Sequence, residues 1–376
     1  MPPAKKILLI HFYSNGDALY ATAVARQIKQ DFPGCQLTWA IASNCKNIIA
    51  NNPYVDHVIV VDYVHCNDPA VFRNLKQKTD LKEYDEVFIT HPSYLKNNAL
   101  YDGCIRSNVF RAYPHPITVP VTPVLVLTDD EKHTCDEFAR KQQLSQYRHV
   151  ILFEFAPQSG QLNITKEKAI AIAEDLVKQE STAVILSSAH KINHANKAVI
   201  DGSPLTLRET AALTHHCTLL LGCSSGITWI TTSSAAKLLP MVQILNPYTT
   251  WVNPISRDFE RFGLPVEKVV ELFDSEHHKI IACVSAALND FPSARARYHQ
   301  QVPLHFKTSR KIVYDLLCYF KFGAILKHIN VNVEVYGWNP AFFREVLLGI
   351  VMAPFLLLSR IFTKHLLKYF PLKQDK

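Results

Sequence analysis

Apolar positions along the chain follow two alternating rhythms. Short runs rich in β-branched and aromatic residues predict buried strands: "KILLIHFY" (6–13), "CQLTWAIA" (35–42), "VDHVIVVD" (55–62) and "YDEVFIT" (84–90). After the first run, Ala21, Val24, Ile28 and Phe32 recur at helical spacing and predict a helix over 17–32. "CKNIIANNP" reads as a short helix and "HPSYLKNNALYDG" as a loop. Strands this apolar, separated by helices, imply a parallel, doubly wound sheet covered on both faces.

Residues 113–127 hold four prolines, a composition that marks a boundary or a crossing between domains. The alternation then restarts. "HVILFEFAP" (149–157), "TAVILSS" (182–188), the start of "TLLLGCSSG" (218–226) and "PMVQIL" (240–245) predict strands. Helices are expected over 165–179, with Thr165 as N-cap, over 206–217, through "ITWITTSSAAKL", and as one or two closing helices over 265–290. The expected architecture is α/β: two Rossmann-like domains, 1–140 and 141–298, facing a cleft. Open α/β sheets bind ligands at the carboxyl ends of their strands.

Residues 299–376 break the rhythm. They contain the apolar run "VLLGIVMAPFLLL" (346–358), at thirteen residues shorter than the roughly 20 a membrane span requires. "SRIFTKHLLKYF" follows, with Arg360, Lys364 and Lys368 every four residues among Ile361, Phe362, Leu366, Leu367 and Phe370. This amphipathic, basic segment reads either as an anchor lying on an anionic membrane surface or as a terminal helix packed on the body or a partner. The formal charge of +7 is concentrated there: residues 300–376 carry eleven Lys/Arg against four Asp/Glu, and the rest of the chain is neutral. That distribution suits a lipid surface at one end better than a nucleic acid, which basic residues spread over the folded domains would favour. The nine cysteines are scattered without any Cys-x-x-Cys pair and read as reduced thiols of a cytosolic protein. The first residues read as a first strand rather than a signal peptide.

Two turns carry candidate chemistry. The first strand breaks at Ser14-Asn15-Gly16-Asp17 and a helix follows, as in nucleotide-binding proteins, but without their glycines or lysine. Asp17 suits the first turn of any helix, where the macrodipole favours a negative charge and lowers the carboxyl pKa. As a general base it needs a substrate hydroxyl in contact. "GCSSGITW" (222–229) leaves a strand and enters a helix. Ser224, Ser225 and Gly226 offer hydroxyls, exposed N–H groups and close backbone approach for an anion such as a diphosphate; they also suit an ordinary serine-rich N-cap. Gln158, Ser159, Gly160 and Gln161 supply donors on the same sheet edge. Glu154, within its strand, is costly to bury unless paired. His190 and His194 have the spacing of a metal pair but lack the Glu of His-Glu-x-x-His and a third ligand. "GCSSG" also matches a hydrolase nucleophile elbow, but His277 and His278 lack an obvious acid partner.

In order along the chain, three segments resemble the family 9 glycosyltransferases, the heptosyltransferase-like enzymes of lipopolysaccharide assembly. Residues 6–62 resemble the opening strand, Gly-Asp, helix, "FPG", strand and "NPYVD". "LTLRETAALTHHCTLLLG" resembles the family's Leu-x-Glu-x-Ala-Ala-Leu helix and next strand. "GCSSGITWITTSSAAKLLPMVQIL" resembles its Gly-Asn-Asp-Ser-Gly motif, with Ser224 in place of the Asp. The resemblance spans about residues 6–246 and leaves the last segment outside it. It implies a GT-B fold, with an acceptor-side N-terminal domain and a nucleotide-sugar-binding C-terminal domain. It further implies inverting transfer without a metal or other cofactor. Asp17 is then the base, beside an acceptor loop of Ser14, Asn15 and Gly16. Gln158–Gln161 and Ser224–Gly226 take the donor. The expected acceptor is a lipid-linked or cell-surface glycan at the cytoplasmic membrane face. A catalytically inactive scaffold of the same fold is the alternative, and a nucleotide-sugar epimerase a third reading.

Overall fold

The computed structural model describes residues 4–62, 70–92, 94–155, 164–246, 253–273, 276–301 and 304–369, with side chains in the last helix as far as Phe355. The first half runs β1 (Lys6–Ile10), α1 (Asn15–Asp31), β2 (Gln36–Ala42), β3 (His57–Val61), α2 (Ala70–Lys78) and β4 (Glu86–Ile89). Two short helices, α3 (Leu95–Asn98) and α4 (Ile105–Arg111), precede α5 (Asp129–Lys141). The second half runs β5 (His149–Glu154), α6 (Lys166–Leu176), β6 (Thr182–Ser187), β7 (Val199–Asp201), α7 (Leu207–Leu213), β8 (Leu219–Gly222) and α8 (Gly226–Ile230). It closes with β9 (Met241–Ile244), α9 (Ile255–Arg261), β10 (Val269–Leu272), α10 (His277–Asn289) and α11 (Phe291–Tyr298). Three helices end the chain: α12 (Lys307–Cys318), α13 (Phe322–Tyr336) and α14 (Pro340–Tyr369).

The strands form two wholly parallel sheets, ordered β3-β2-β1-β4 and β10-β9-β8-β5-β6-β7. Each reverses direction of winding beside its first strand, between β1 and β4 and between β5 and β8. That is the Rossmann arrangement, in which ligands bind at the reversal point. The central strands are apolar on both faces, as burial on both sides requires: Ile7 to Ile10 and Val150 to Phe153 are all buried. This is the expected pair of doubly wound α/β halves.

Several elements differ from the sequence expectation. β7 and β10 are edge strands of three and four residues, too short to show a period. β10 replaces part of the expected closing helices because Val270 pairs with Val242 of β9. The expected helix after "GCSSG" stops at Ile230. Thr231 and Thr232 turn their hydroxyls back onto the carbonyls of Thr228 and Trp229 at 2.7 Å, competing with continued helix. The proline-rich segment carries no strand or helix. It is held by backbone N–H bonds to side chains of α1, Val124 to Thr22 at 2.7 Å and Thr118 to Gln27 at 2.7 Å, and by Leu125 to Ser234 at 3.1 Å.

The chain divides into two compact units, residues 1–91 with 109–303, and residues 92–108 with 304–376. The first holds both sheets. The second is not a lone amphipathic tail. Its described residues build a core of their own, where Ala99 and Tyr101 pack with Phe306, Val313, Leu316 and Phe342. Asn332 donates to the Tyr101 carbonyl at 3.0 Å, and Tyr336 to that of Asp102 at 2.5 Å. The eight described cysteines are all free, and seven are buried.

Candidate functional site

β1 ends against the reversal point of the first sheet, and the chain turns through Ser14 into α1. Ser14 is the N-cap but makes no side-chain cap bond. Its hydroxyl and backbone N–H donate instead to the Asp17 carboxylate, three residues on. Burial pushes the Asp17 carboxyl up to about 7, outweighing those two hydrogen bonds. The helix dipole alone implies a lowered value; desolvation reverses it, because the carboxylate sits beside buried groups such as the Cys45 thiol. Asn15 Oδ1 is buried and has no hydrogen-bond partner in the protein, so an acceptor atom stands ready beside Asp17.

The second turn leaves β8 at Gly222. A Cβ there would lie 3.0 Å from Gln243 Nε2, tighter than an ordinary contact, so glycine lets Gln243 pack under the loop without shifting. Gln243 Oε1 accepts the Ser224 N–H at 2.7 Å, while its Nε2 is buried without a partner. Ser224 adopts φ 55°, a left-handed conformation that turns the chain sharply into α8. Ser225 is the N-cap, and its hydroxyl accepts the Ile227 N–H at 3.2 Å.

The two turns meet. A Cβ on Gly16 would lie 3.3 Å from Trp229 Cδ1, and one on Gly226 would lie 3.8 Å from Asn15 Cβ. Tyr20 packs edge-on against Trp229 at 5.0 Å. The first turns of α1 and α8 therefore abut, bringing Ser14, Asn15, Gly16 and Asp17 to the loop of Ser224, Ser225 and Gly226. Gln158, Ser159, Gly160 and Gln161, the other expected donor-side residues, lie outside the described residues.

Glu154 was not among the expected site residues. It ends β5 at the second reversal point. Its Oε2 accepts the Cys223 N–H at 3.0 Å, and the Ser225 hydroxyl also donates to the carboxylate. Burial pushes this carboxyl up to about 7 as well. The sequence signal was present: a carboxylate closing an apolar strand must find partners, and it finds them in the adjacent loop.

A buried aromatic cluster closes the ends of β1 and β4. His11 Nδ1 bonds Thr90 Oγ1 at 3.1 Å, its ring meets His91 edge-on at 5.8 Å, and His91 meets Tyr13 at 5.1 Å. Burial, with the neighbouring His91, holds His11 well below the usual imidazole range, so it is neutral. Other histidines fall elsewhere. His190 and His194 lie in a loop rather than on a helix, and His194 Nε2 pairs with Glu174 at 2.9 Å. His277 does have an acid partner, Asp175, at 2.6 Å. Among the described residues, no group of three or more His, Cys, Asp or Glu is gathered to hold a metal ion.

Two Rossmann-like halves with their strand-end turns abutting define the GT-B fold. Among solved structures, the chain is similar to a family 9 glycosyl transferase from Veillonella parvula DSM 2008. They share 15 % identity over 78 % of this chain and 94 % of that one, with a TM-score of 0.51. It is similar also to the ADP-heptose lipopolysaccharide heptosyltransferase II of E. coli, at 16 % identity over 76 % of this chain and 98 % of that one, with a TM-score of 0.52. No family model and no curated protein sequence matches the chain. The fold is thus that of the heptosyltransferase-like glycosyltransferases, as the sequence motifs implied.

Proposed function

We propose that the chain is an inverting, metal-independent glycosyltransferase that moves a sugar from a nucleotide-sugar donor to a lipid-linked or cell-surface glycan acceptor resembling lipopolysaccharide, at the cytoplasmic face of the membrane. The carrying observation is the Asp17 carboxyl, pushed up to about 7 at the point where the turn after β1 abuts the turn after β8. A base with that pKa is half ionised near neutral pH, where general-base catalysis is most effective.

In this reading Asp17 takes the proton of the acceptor hydroxyl as the oxygen attacks the anomeric carbon. The Ser14 bonds hold its carboxylate in place, and Asn15 Oδ1 accepts a second acceptor hydroxyl. The departing diphosphate lies at Ser224–Gly226, with Gln158–Gln161 on the same edge. Gln243 supports that loop from below, and Glu154 ties its N–H and hydroxyl groups to β5. The similarity to two glycosyltransferase structures supports the reaction class, as the ADP-heptose enzyme supports a nucleotide-sugar donor.

A panel of nucleotide sugars, read by thermal shift and then by turnover with glycolipid acceptors, tests this. A true donor at a hundred times its Kd adds about 2.7 kcal/mol of stability. Asp17→Asn keeps that shift and loses turnover by about 10²–10⁴-fold. Full turnover in Asp17→Asn overturns the base assignment. No shift with any nucleotide sugar favours the inactive scaffold, which Ser224 in place of the family's acid also suggests. Consumption of a donor without any acceptor favours the epimerase.

A further inference from the structure

Exposed apolar side chains are unevenly placed. Among the described residues, ten of the twelve exposed large hydrophobics lie between Tyr319 and Phe355, all in the helical unit. Four cluster at the turn from α12 into α13: Tyr319, Phe320, Phe322 and Leu326, with Phe320 77 % exposed. Lys321 and Lys327 are exposed among them.

α14 presents a second set. Phe342, Val346, Gly349 and Ala353 are buried on one side, where a Cβ on Gly349 would already meet the Arg310 carbonyl at 2.7 Å. Leu347, Ile350, Val351 and Phe355 are exposed at helical spacing on another, an apolar stripe without an acidic residue. Glu345, the acid of this stretch, is buried and held by Arg310 at 2.6 Å and Arg344 at 3.0 Å.

The far end of the stripe comes level with the aromatic turn. Phe306 meets Phe342 edge-on at 5.5 Å, Arg310 pairs with Glu345, and Val313 lies against Gly349. α12 and α14 therefore run side by side in the same direction. Continuing that register brings the end of α12, at Tyr319, level with Phe355. A helix apolar on opposite faces requires cover on both, and one face here has none among the described residues.

We propose that this end of the helical unit is a membrane-docking surface. The aromatic turn Tyr319–Phe322 and the Leu347–Phe355 stripe enter the boundary between headgroups and acyl chains of an anionic leaflet. Lys321 and Lys327 meet the lipid phosphates. The chemistry favours lipid over a protein partner: aromatic rings interleaved with lysines are the pattern of an interfacial anchor. The sequence beyond the stripe continues with Arg360, Lys364 and Lys368. No helix among the described residues is long and apolar enough to cross a membrane. It deepens the membrane location given above and is independent of the transfer chemistry.

Deleting α14 does not test this, because Phe342 and Val346 belong to the unit's core. The full chain is instead sedimented with phosphatidylglycerol-rich vesicles and with phosphatidylcholine vesicles, beside Phe320→Ser/Phe322→Ser and Ile350→Ser/Val351→Ser. These side chains are exposed, so circular dichroism and thermal melts of the variants match the parent. The parent sediments with the anionic vesicles, and each double variant loses about tenfold or more in partitioning. Nucleotide-sugar thermal shifts stay unchanged in both, which separates loss of docking from loss of donor binding. Undiminished vesicle binding by the variants overturns the proposal. So does a parent chain that ignores vesicles but self-associates through these residues, because a second copy is then the occupant.

Discussion

Asp17 lies in the first turn of α1 and Glu154 ends β5, each beside a sheet reversal point, and burial pushes both carboxyls up to about 7. For Asp17 the consequence is kinetic. In the proposed base role, kcat/KM is expected to fall tenfold per pH unit below about 7 and to level off above it, read from a pH–rate profile. For Glu154 it is thermodynamic. The folded chain keeps a proton that the unfolded chain releases above 4.5, so stability is lost as pH rises from there to about 7. Glu154→Gln keeps an acceptor for the Cys223 N–H and has no charge to desolvate. It is expected to exceed the parent by about 1–3 kcal/mol near pH 8 and to match it near pH 4, read by urea melts of both chains. The comparison must be between chains at each pH, because neutral buried histidines such as His328, lowered to about 4, give the opposite slope. Asp17 was legible from its place in a strand–turn–helix. Its pKa was not, because the dipole argument omits the desolvation that only neighbours impose.

At the scale of elements, the central strands were legible as continuous apolar runs and α1 by its helical period. β7, β10 and the early end of α8 were not. Short edge strands carry no period, and threonine hydroxyls ended a helix whose apolar pattern continued. The close approach of α12 and α14 was equally hidden, since Gly349 in an apolar run reads as an indifferent residue. Gly349→Ala gains up to about 1 kcal/mol of helix propensity. It also drives a Cβ to 2.7 Å from the Arg310 carbonyl, a backbone atom that cannot swing aside. Overpacking of this kind costs about 1–3 kcal/mol, so net destabilisation is expected. Limited proteolysis of the full chain should then cut within 304–369 earlier than in the parent.

For the unit that holds both sheets, one side chain joins the halves. Arg208 of α7 grips the Glu131 carboxylate of α5 at 2.5 and 2.8 Å and donates to the Asn47 carbonyl, in the first half, at 2.9 Å. In return Arg208 holds the Glu131 carboxyl below its ordinary value. Arg208→Met takes the guanidinium from that carboxylate, which keeps only its bonds from Thr128, and from the carbonyls of Asn47 and Val126. The loss is about 3 kcal/mol, measurable as a lower urea midpoint. The sequence shows Arg208 only as a charge on a predicted helix. Its partners lie 77 and 161 residues away in the chain, and no local pattern announces them.

The sequence by itself determined the α/β class, the two successive Rossmann-like halves, and the polar turns at 14–17 and 222–226. Each follows from periods and turn chemistry within about 30 residues. Tertiary structure alone decided the rest. It brought Gly16 against Trp229, placed Glu154 beneath the loop after β8, and folded residues 92–108 into one core with the final helices. These outcomes depend on burial, desolvation and close packing between residues distant in the chain, which act only once both partners have been brought together.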